Sequence, residues 1–193
     1  MPVIATAGHV DHGKSALVRA LTGQEPDRLA AERTRGLTLD LGHTHVRLPS
    51  GRTIGIVDVP GHERYLGTTV SGIGPAGGVL FCVAADDGWS AQSEQHARAC
   101  AALGMRGDRI LLVLTKTDLL DSARGQTAGD HGSQRLSAVS DSAAARLTGH
   151  GLAPRAVLVC STRDRHGVDA VAAALDELGA ELEQSADPGA RAR

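Results

Sequence analysis

Residues Gly8 to Ser15 read G-H-V-D-H-G-K-S and fit the pattern G-x-x-x-x-G-K-[ST], with Gly8, Gly13, Lys14 and Ser15 at the fixed positions. An apolar run, Val3 to Ala7, leads into them, and an apolar-periodic stretch, Ala16 to Leu21, leads out. Strand, loop and helix in that order give the pattern its meaning, because the chain must reverse tightly between a buried strand and a helix packed on it. Successive backbone N–H groups then point into the loop, and a helix starting near Gly13 adds the positive end of its dipole. The segment is expected to capture an anion of the phosphate type. Lys14 is placed to reach outer phosphates and the Ser15 hydroxyl to hold a Mg²⁺ ion.

The rest of the chain alternates strand and helix signals. Strands are expected at Val3–Thr6, Leu41–Leu48, Thr53–Val57, Val79–Ala85, Arg109–Leu114 and Ala156–Val159. Helices are expected at Gly13–Leu21, Ala91–Leu103, Gln134–Leu147 and Val168–Leu182, with a hairpin turn at Ser50-Gly51. Gln24–Asp40 and the Gly-rich Gly61–Gly74 read as mobile connections, and Asp121–Ser133 as a polar loop. The fully apolar runs mark strands buried on both faces. The alternation predicts an α/β fold, a mostly parallel sheet with helices on both faces. Ligands in such sheets bind at the carboxyl ends of strands. The expected organisation is one domain over 1–184, with 185–193 as a tail or the start of a linker.

Composition narrows the class. Basic residues number 20 and acidic 22, a net charge of -2, so no global positive field holds nucleic acid. Cys82, Cys100 and Cys160 are far apart and read as buried small hydrophobes in a reducing cytosol, and the nine histidines show no metal-ligand spacing. No apolar run approaches a membrane span, which points to a cytoplasmic location. Trp89, the single tryptophan, reads as a half-buried loop residue. Of the 20 basic residues only Lys14 and Lys116 are lysines; the others are Arg. Arg does not replace Lys where a slim ammonium must thread to a phosphate or lie along a base.

Lys116 belongs to a second motif. Thr115-Lys116-Thr117-Asp118 follows a strand. A carboxylate at Asp118 accepts two hydrogen bonds from the N1–H and N2–H₂ edge of guanine, which adenine lacks, and the stem of Lys116 lies along the ring. Asp58-Val59-Pro60-Gly61 gives D-x-x-G after another strand. Asp58 is placed to hold Mg²⁺ through water, and Gly61 lets the backbone turn to a terminal phosphate. Backbone N–H groups at Ser161 and Thr162, after the last strand, are placed near the guanine carbonyl.

Phosphate loop, D-x-x-G, K-x-D and a late Ser, in that order, resemble the translational GTPases, with a P-loop GTPase fold. GHVDHGKS and DVPGHERY are of the elongation-factor type. LTGQEPDRLAAERTRGLTLDLG and AADDGWSAQSEQH resemble the selenocysteine-specific elongation factor family in particular. The resemblance implies a GTP/GDP site in which His9, Val10, Asp11, His12 and Ala16 complete the phosphate cradle and Leu119 flanks Asp118. It implies Thr38 as a Mg²⁺ ligand when the third phosphate is present, and His62 as the residue that orients the attacking water. Val10 and Leu37 would form an apolar gate around His62, and Asp11 would help bind a monovalent cation. The ribosome and selenocysteyl-tRNA are the implied partners, mainly through β-barrel and RNA-binding domains beyond this chain's length. Thr115 departs from the family's Asn. That departure keeps open a module that binds GTP or GDP with little hydrolysis. A phosphotransferase using ATP stays open because the phosphate loop alone is blind to the base.

Overall fold

A computed structural model describes residues 1–24, 40–122 and 128–186. Its strands are β1 (Val3–Ala7), β2 (Gly42–Arg47), β3 (Thr53–Asp58), β4 (Gly78–Ala84), β5 (Ile110–Thr115) and β6 (Ala156–Val159). Its helices are α1 (Lys14–Thr22), α2 (Leu66–Ile73), α3 (Ala91–Ala102), α4 (Asp118–Ser122), α5 (Ala128–Gly149) and α6 (Val168–Ala186). The sheet runs β2-β3-β1-β4-β5-β6, with β2 antiparallel to β3 and every other pairing parallel.

Alternation along the central strands divides the core between the two faces. On β4, Val79, Phe81 and Val83 join Ile110, Leu112 and Leu114 of β5 on one face, beneath Ile73, Ala97, Cys100, Ala143 and Leu147 of α2, α3 and α5. Leu80, Cys82, Leu111 and Val113 point the other way, onto Leu17 and Val18 of α1 and Val171, Leu175 and Leu178 of α6. Both faces are covered, which is why these strands read as unbroken apolar runs. All three cysteines are buried and free, as expected.

Two expectations are corrected. The segment 61–74 is not an open Gly-rich loop: Glu63–Tyr65 form a 3₁₀ turn and Leu66–Ile73 a helix. Gly72 is what allows it, since a Cβ there would meet Leu41 Cδ2 at 2.7 Å and Val59 Cγ1 at 2.8 Å, so the helix lies close on the core. The described residues of the polar loop expected over 121–133 are helical as well. Asp121 and Ser122 close α4, and α5 begins at Ala128, ahead of the expected Gln134. Leu136, Val139, Ala143 and Leu147 fall on one stripe against the core, and this burial overrides the weak helix propensity of the preceding Gly and Ser residues. The last helix runs on past Leu182 to Ala186. Most of the connection read over 24–40, including Leu37 and Thr38, lies outside the described residues.

Candidate functional site

The site lies where β1, β3, β4, β5 and β6 end. β1 leads into the phosphate loop, which reaches its shape through left-handed backbone at Gly8 (φ 121°), Asp11 (φ 62°) and Gly13 (φ 75°). Gly13 is the N-cap of α1, and no side chain caps that helix. The first turn of α1 thus opens on the loop, the arrangement that favours an anion. Gly8 has no alternative residue: an added Cβ would sit 2.1 Å from the Cys82 carbonyl oxygen.

Lys14 is buried, and its ammonium donates to the carbonyls of Gly8 (3.1 Å) and His9 (2.7 Å). Burial lowers its pKa, against the opposing pull of Asp58. The amine is therefore folded back on the loop's own carbonyls, a set of contacts that incoming phosphate oxygens would match.

Ser15 and Asp58 meet across the loop. Ser15 Oγ donates to Asp58 Oδ2 at 2.5 Å, and Thr6 Oγ1 on β1 donates to Asp58 Oδ1 at 2.9 Å. Thr6 Oγ1 also accepts from the Val59 N–H at 3.0 Å, so it fixes both the carboxylate and the turn after it. Sequence reasoning missed Thr6; a polar residue inside an apolar strand was its only signal. A hydroxyl and a carboxylate side by side are the hard oxygen donors that Mg²⁺ takes when phosphates supply other ligands. The residues present fit that ion. Among the described residues no group of three His, Cys, Asp or Glu is positioned to hold a metal.

Gly61 presses on the phosphate loop. A Cβ there would lie 2.3 Å from Lys14 Nζ and 2.4 Å from the Val10 nitrogen. His62 follows, half-buried, with its Nδ1 accepting from the Arg64 N–H at 3.2 Å and its ring edge-on to Tyr65.

On the other side, Thr115 ends β5 and its hydroxyl donates to the His12 carbonyl at 2.8 Å. Lys116 follows in left-handed backbone, φ 56°. Asp118 opens α4; Ser161 Oγ donates to its Oδ1 at 2.8 Å, and Arg163 Nη1 stands 3.8 Å from its Oδ2. The Ser161 N–H is given to the His166 carbonyl at 2.9 Å. Leu119 and Thr162 flank this cluster, each partly buried.

The loop's histidines do not line the cradle alike. His12 is buried, with Nε2 2.9 Å from Asp87 Oδ2, and burial lowers its pKa. His9 packs edge-on to His12, and burial lowers its pKa too. Asp11 is exposed at the loop's outer turn and Ala16 partly buried in the first turn of α1. Sequence reasoning also missed His96 of α3, whose Nδ1 accepts the Gly8 N–H at 3.0 Å. A lone histidine in an Ala-rich helix gives no warning of that contact.

Comparison with known proteins identifies the family of the fold. Residues 1–181 match the family described as the elongation factor Tu GTP binding domain. The selenocysteine-specific elongation factor of Escherichia coli (strain K12) is 48% identical over 123 residues, 63% of this chain and 20% of that protein. The same factor from Desulfomicrobium baculatum is 48% identical over 122 residues, 63% of this chain and 19% of that protein. A crystal structure of a bacterial selenocysteine-specific elongation factor superposes with a TM-score of 0.81 at 29% identity, over 94% of this chain and 29% of that one. The chain thus spans about a fifth of the length of these curated relatives. With a six-stranded P-loop GTPase sheet and the match over residues 1–181, the chain belongs to the elongation factor Tu GTP-binding-domain family.

Proposed function

We propose that this chain is the nucleotide switch of a selenocysteine-specific elongation factor, a cytoplasmic domain over 1–184 that binds GTP with Mg²⁺ and hydrolyses it to GDP and phosphate. One observation carries the reading: the Lys14–Ser15–Asp58 cluster and the Lys116–Asp118–Ser161 cluster stand at the same edge of one sheet, tied by the Thr115–His12 hydrogen bond.

In this reading the carboxylate of Asp118 accepts the N1–H and N2–H₂ of guanine, and the stem of Lys116 lies along the ring. Adenine would leave the carboxylate unpaired. Lys14 exchanges its contacts with the Gly8 and His9 carbonyls for phosphate oxygens. Ser15 and Asp58 would hold Mg²⁺, with Thr38 by resemblance; the ion's contribution is to neutralise charge on the phosphates. His62 orients a water for attack on the terminal phosphorus: the new P–O bond forms to water, the bond to GDP breaks, and the water's proton leaves with the phosphate. Val10 and Leu37 are assigned to the apolar gate around His62, and Asp11 to a monovalent cation beside the phosphates. Ribosome and selenocysteyl-tRNA are the proposed partners of the longer protein.

The reading is tested in two steps. Calorimetry of this chain with GDP and ADP should show binding of GDP only; tighter ADP binding would overturn the Asp118 assignment. Hydrolysis by the full-length protein on ribosomes should fall about a hundredfold or more in His62→Ala, the scale of a lost positioning contact. Equal rates would remove His62 from the mechanism. Turnover no higher than in Lys14→Ala would favour the module that binds without hydrolysing.

A further inference from the structure

β1 ends at Ala7, so the backbone N–H of Gly8 is the first donor of the phosphate loop that the sheet no longer uses. It is buried and is given to His96 Nδ1 at 3.0 Å, from the middle of a helix 88 residues further along the chain. The Gly8 carbonyl on the other side accepts from Lys14 Nζ at 3.1 Å. The Cys82 carbonyl walls Gly8 off, since a Cβ there would come within 2.1 Å of it. Gly8 is therefore held on three sides: by β4, by α3, and by the lysine that serves the phosphates.

We infer that His96 is a positioning residue of the nucleotide site: its Nδ1 fixes Gly8, and through the Gly8 carbonyl it presets the Lys14 ammonium for the β-phosphate. An acceptor at Nδ1 requires the proton on Nε2, that is, a neutral ring. His96 is 1% exposed, and burial, aided by the nearby charges of Lys14 and His9, pushes its pKa down to about 3. The ring is thus neutral at physiological pH and does not switch there. Its role is geometric.

The inference rests on the reading that the loop takes a guanine nucleotide, and the experiment separates the two. Three variants of this chain isolate the atom involved. His96→Asn puts an amide oxygen where Nδ1 stands, His96→Gln reaches the Nε2 position instead, and His96→Leu offers no acceptor. Affinities for GDP and GMP with Mg²⁺ are measured by calorimetry or competition, with hydrogen exchange of the Gly8 amide. His96→Asn should bind GDP within about threefold of wild type, while His96→Gln and His96→Leu lose about tenfold, the scale of a buried donor left unpaired. GMP, which lacks the β-phosphate, should be little affected by any of them, so the GDP-to-GMP ratio falls only where Nδ1 is not replaced. Gly8 exchange should stay slow in wild type and Asn and become fast in Leu. Three outcomes overturn the inference: equal losses in Asn and Gln, unchanged GDP affinity in Leu, or a drop in melting temperature at constant GDP-to-GMP ratio. If wild type fails to bind GDP at all, the functional reading falls, and Gly8 exchange alone decides for or against His96.

Discussion

The Thr115 hydroxyl donates to the His12 carbonyl at 2.8 Å, so the strand end that carries Lys116 and Asp118 is fastened to the phosphate loop by one buried hydrogen bond. The family pattern has Asn at this position, a longer side chain that bridges through an amide. Here the shorter Thr hydroxyl reaches the His12 carbonyl directly, with Thr115 packed beside Gly13, where an added Cβ would lie at ordinary contact distance, 3.5 Å, from Thr115 Cβ and Oγ1.

Thr115→Val keeps the shape and removes the donor, leaving the His12 carbonyl without this partner. Stability should fall by ~1–2 kcal/mol, the cost of an unpaired buried acceptor. GDP affinity should fall about threefold to tenfold with it, because the loop and the guanine-side strand end then move independently. Urea unfolding and GDP calorimetry on the same samples check this. Unchanged affinity would mean that the two ends of the site are held together by other contacts.

Gly61→Ala tests how closely the D-x-x-G turn and the phosphate loop must approach. The added Cβ would meet Lys14 Nζ at 2.3 Å, the Val10 nitrogen at 2.4 Å and the His9 carbonyl carbon at 2.7 Å. The lysine can swing away, but backbone atoms cannot, so the turn must retreat from the loop. GDP binding should weaken modestly and binding of a non-hydrolysable GTP analogue by about tenfold more, since the terminal phosphate is what the turn must reach. Parallel titrations with the two nucleotides decide it, and equal losses would place Gly61 outside terminal-phosphate recognition.

Much of this site was legible in the chain itself. Gly8, Gly13, Lys14, Ser15, Asp58 and Asp118 occupy motif positions, and the fold brings them to one end of the sheet with the local geometry the motifs imply: left-handed backbone at Gly8 and Gly13, a buried amine, and a hydroxyl beside a carboxylate. The central strands β4 and β5 were legible for a different reason, as burial on both faces leaves them almost wholly apolar. What stayed hidden depends on contacts far apart in sequence. Thr6 reaches Asp58 across 52 residues and His96 reaches Gly8 across 88, and no local pattern encodes either. Helix α2 and the first turns of α5, ahead of Gln134, were hidden because Gly and Ser composition argues for loops until tertiary burial is known.

His96 also gives the chain an acid-labile core. The ring is neutral in the folded state, with a pKa near 3, whereas an unfolded histidine titrates at its ordinary 6.5. Between those values the unfolded chain binds the extra proton, so stability rises with pH and is lost as pH falls, by at most about 1 kcal/mol per pH unit from this group. Burial lowers the pKa of His12 and His9 as well, and they add to the loss in the same direction. Asp87, held below its usual 3.8 chiefly by the hydrogen bond from His12, adds its own loss only at still lower pH. Urea midpoints at pH 7, 5.5 and 4.5 should decline steadily, and His96→Asn should flatten the decline. An unaltered slope in that variant would assign the acid sensitivity to other groups.

Trp89 offers a readout that should stay quiet when nucleotide binds. Its ring stacks on Phe81 of β4, with centroids 5.4 Å apart and planes 5° from parallel, and its Nε1 donates to Glu94 Oε2 at 3.1 Å. Glu94 is held in turn, by His150 Nε2 at 2.8 Å and by Arg98. The indole is thus pinned between a central strand and the α3–α5 contact, on the core face served by those helices and not in the phosphate loop. Saturating GDP or a GTP analogue should change its emission by no more than about a tenth, whereas unfolding should change it strongly because the stack is lost. A large response to the GTP analogue alone would show that the movement of the D-x-x-G segment reaches α3. His150→Ala, which releases Glu94, should then amplify that response if α3 carries it and leave it unchanged if the signal enters through β4 and Phe81.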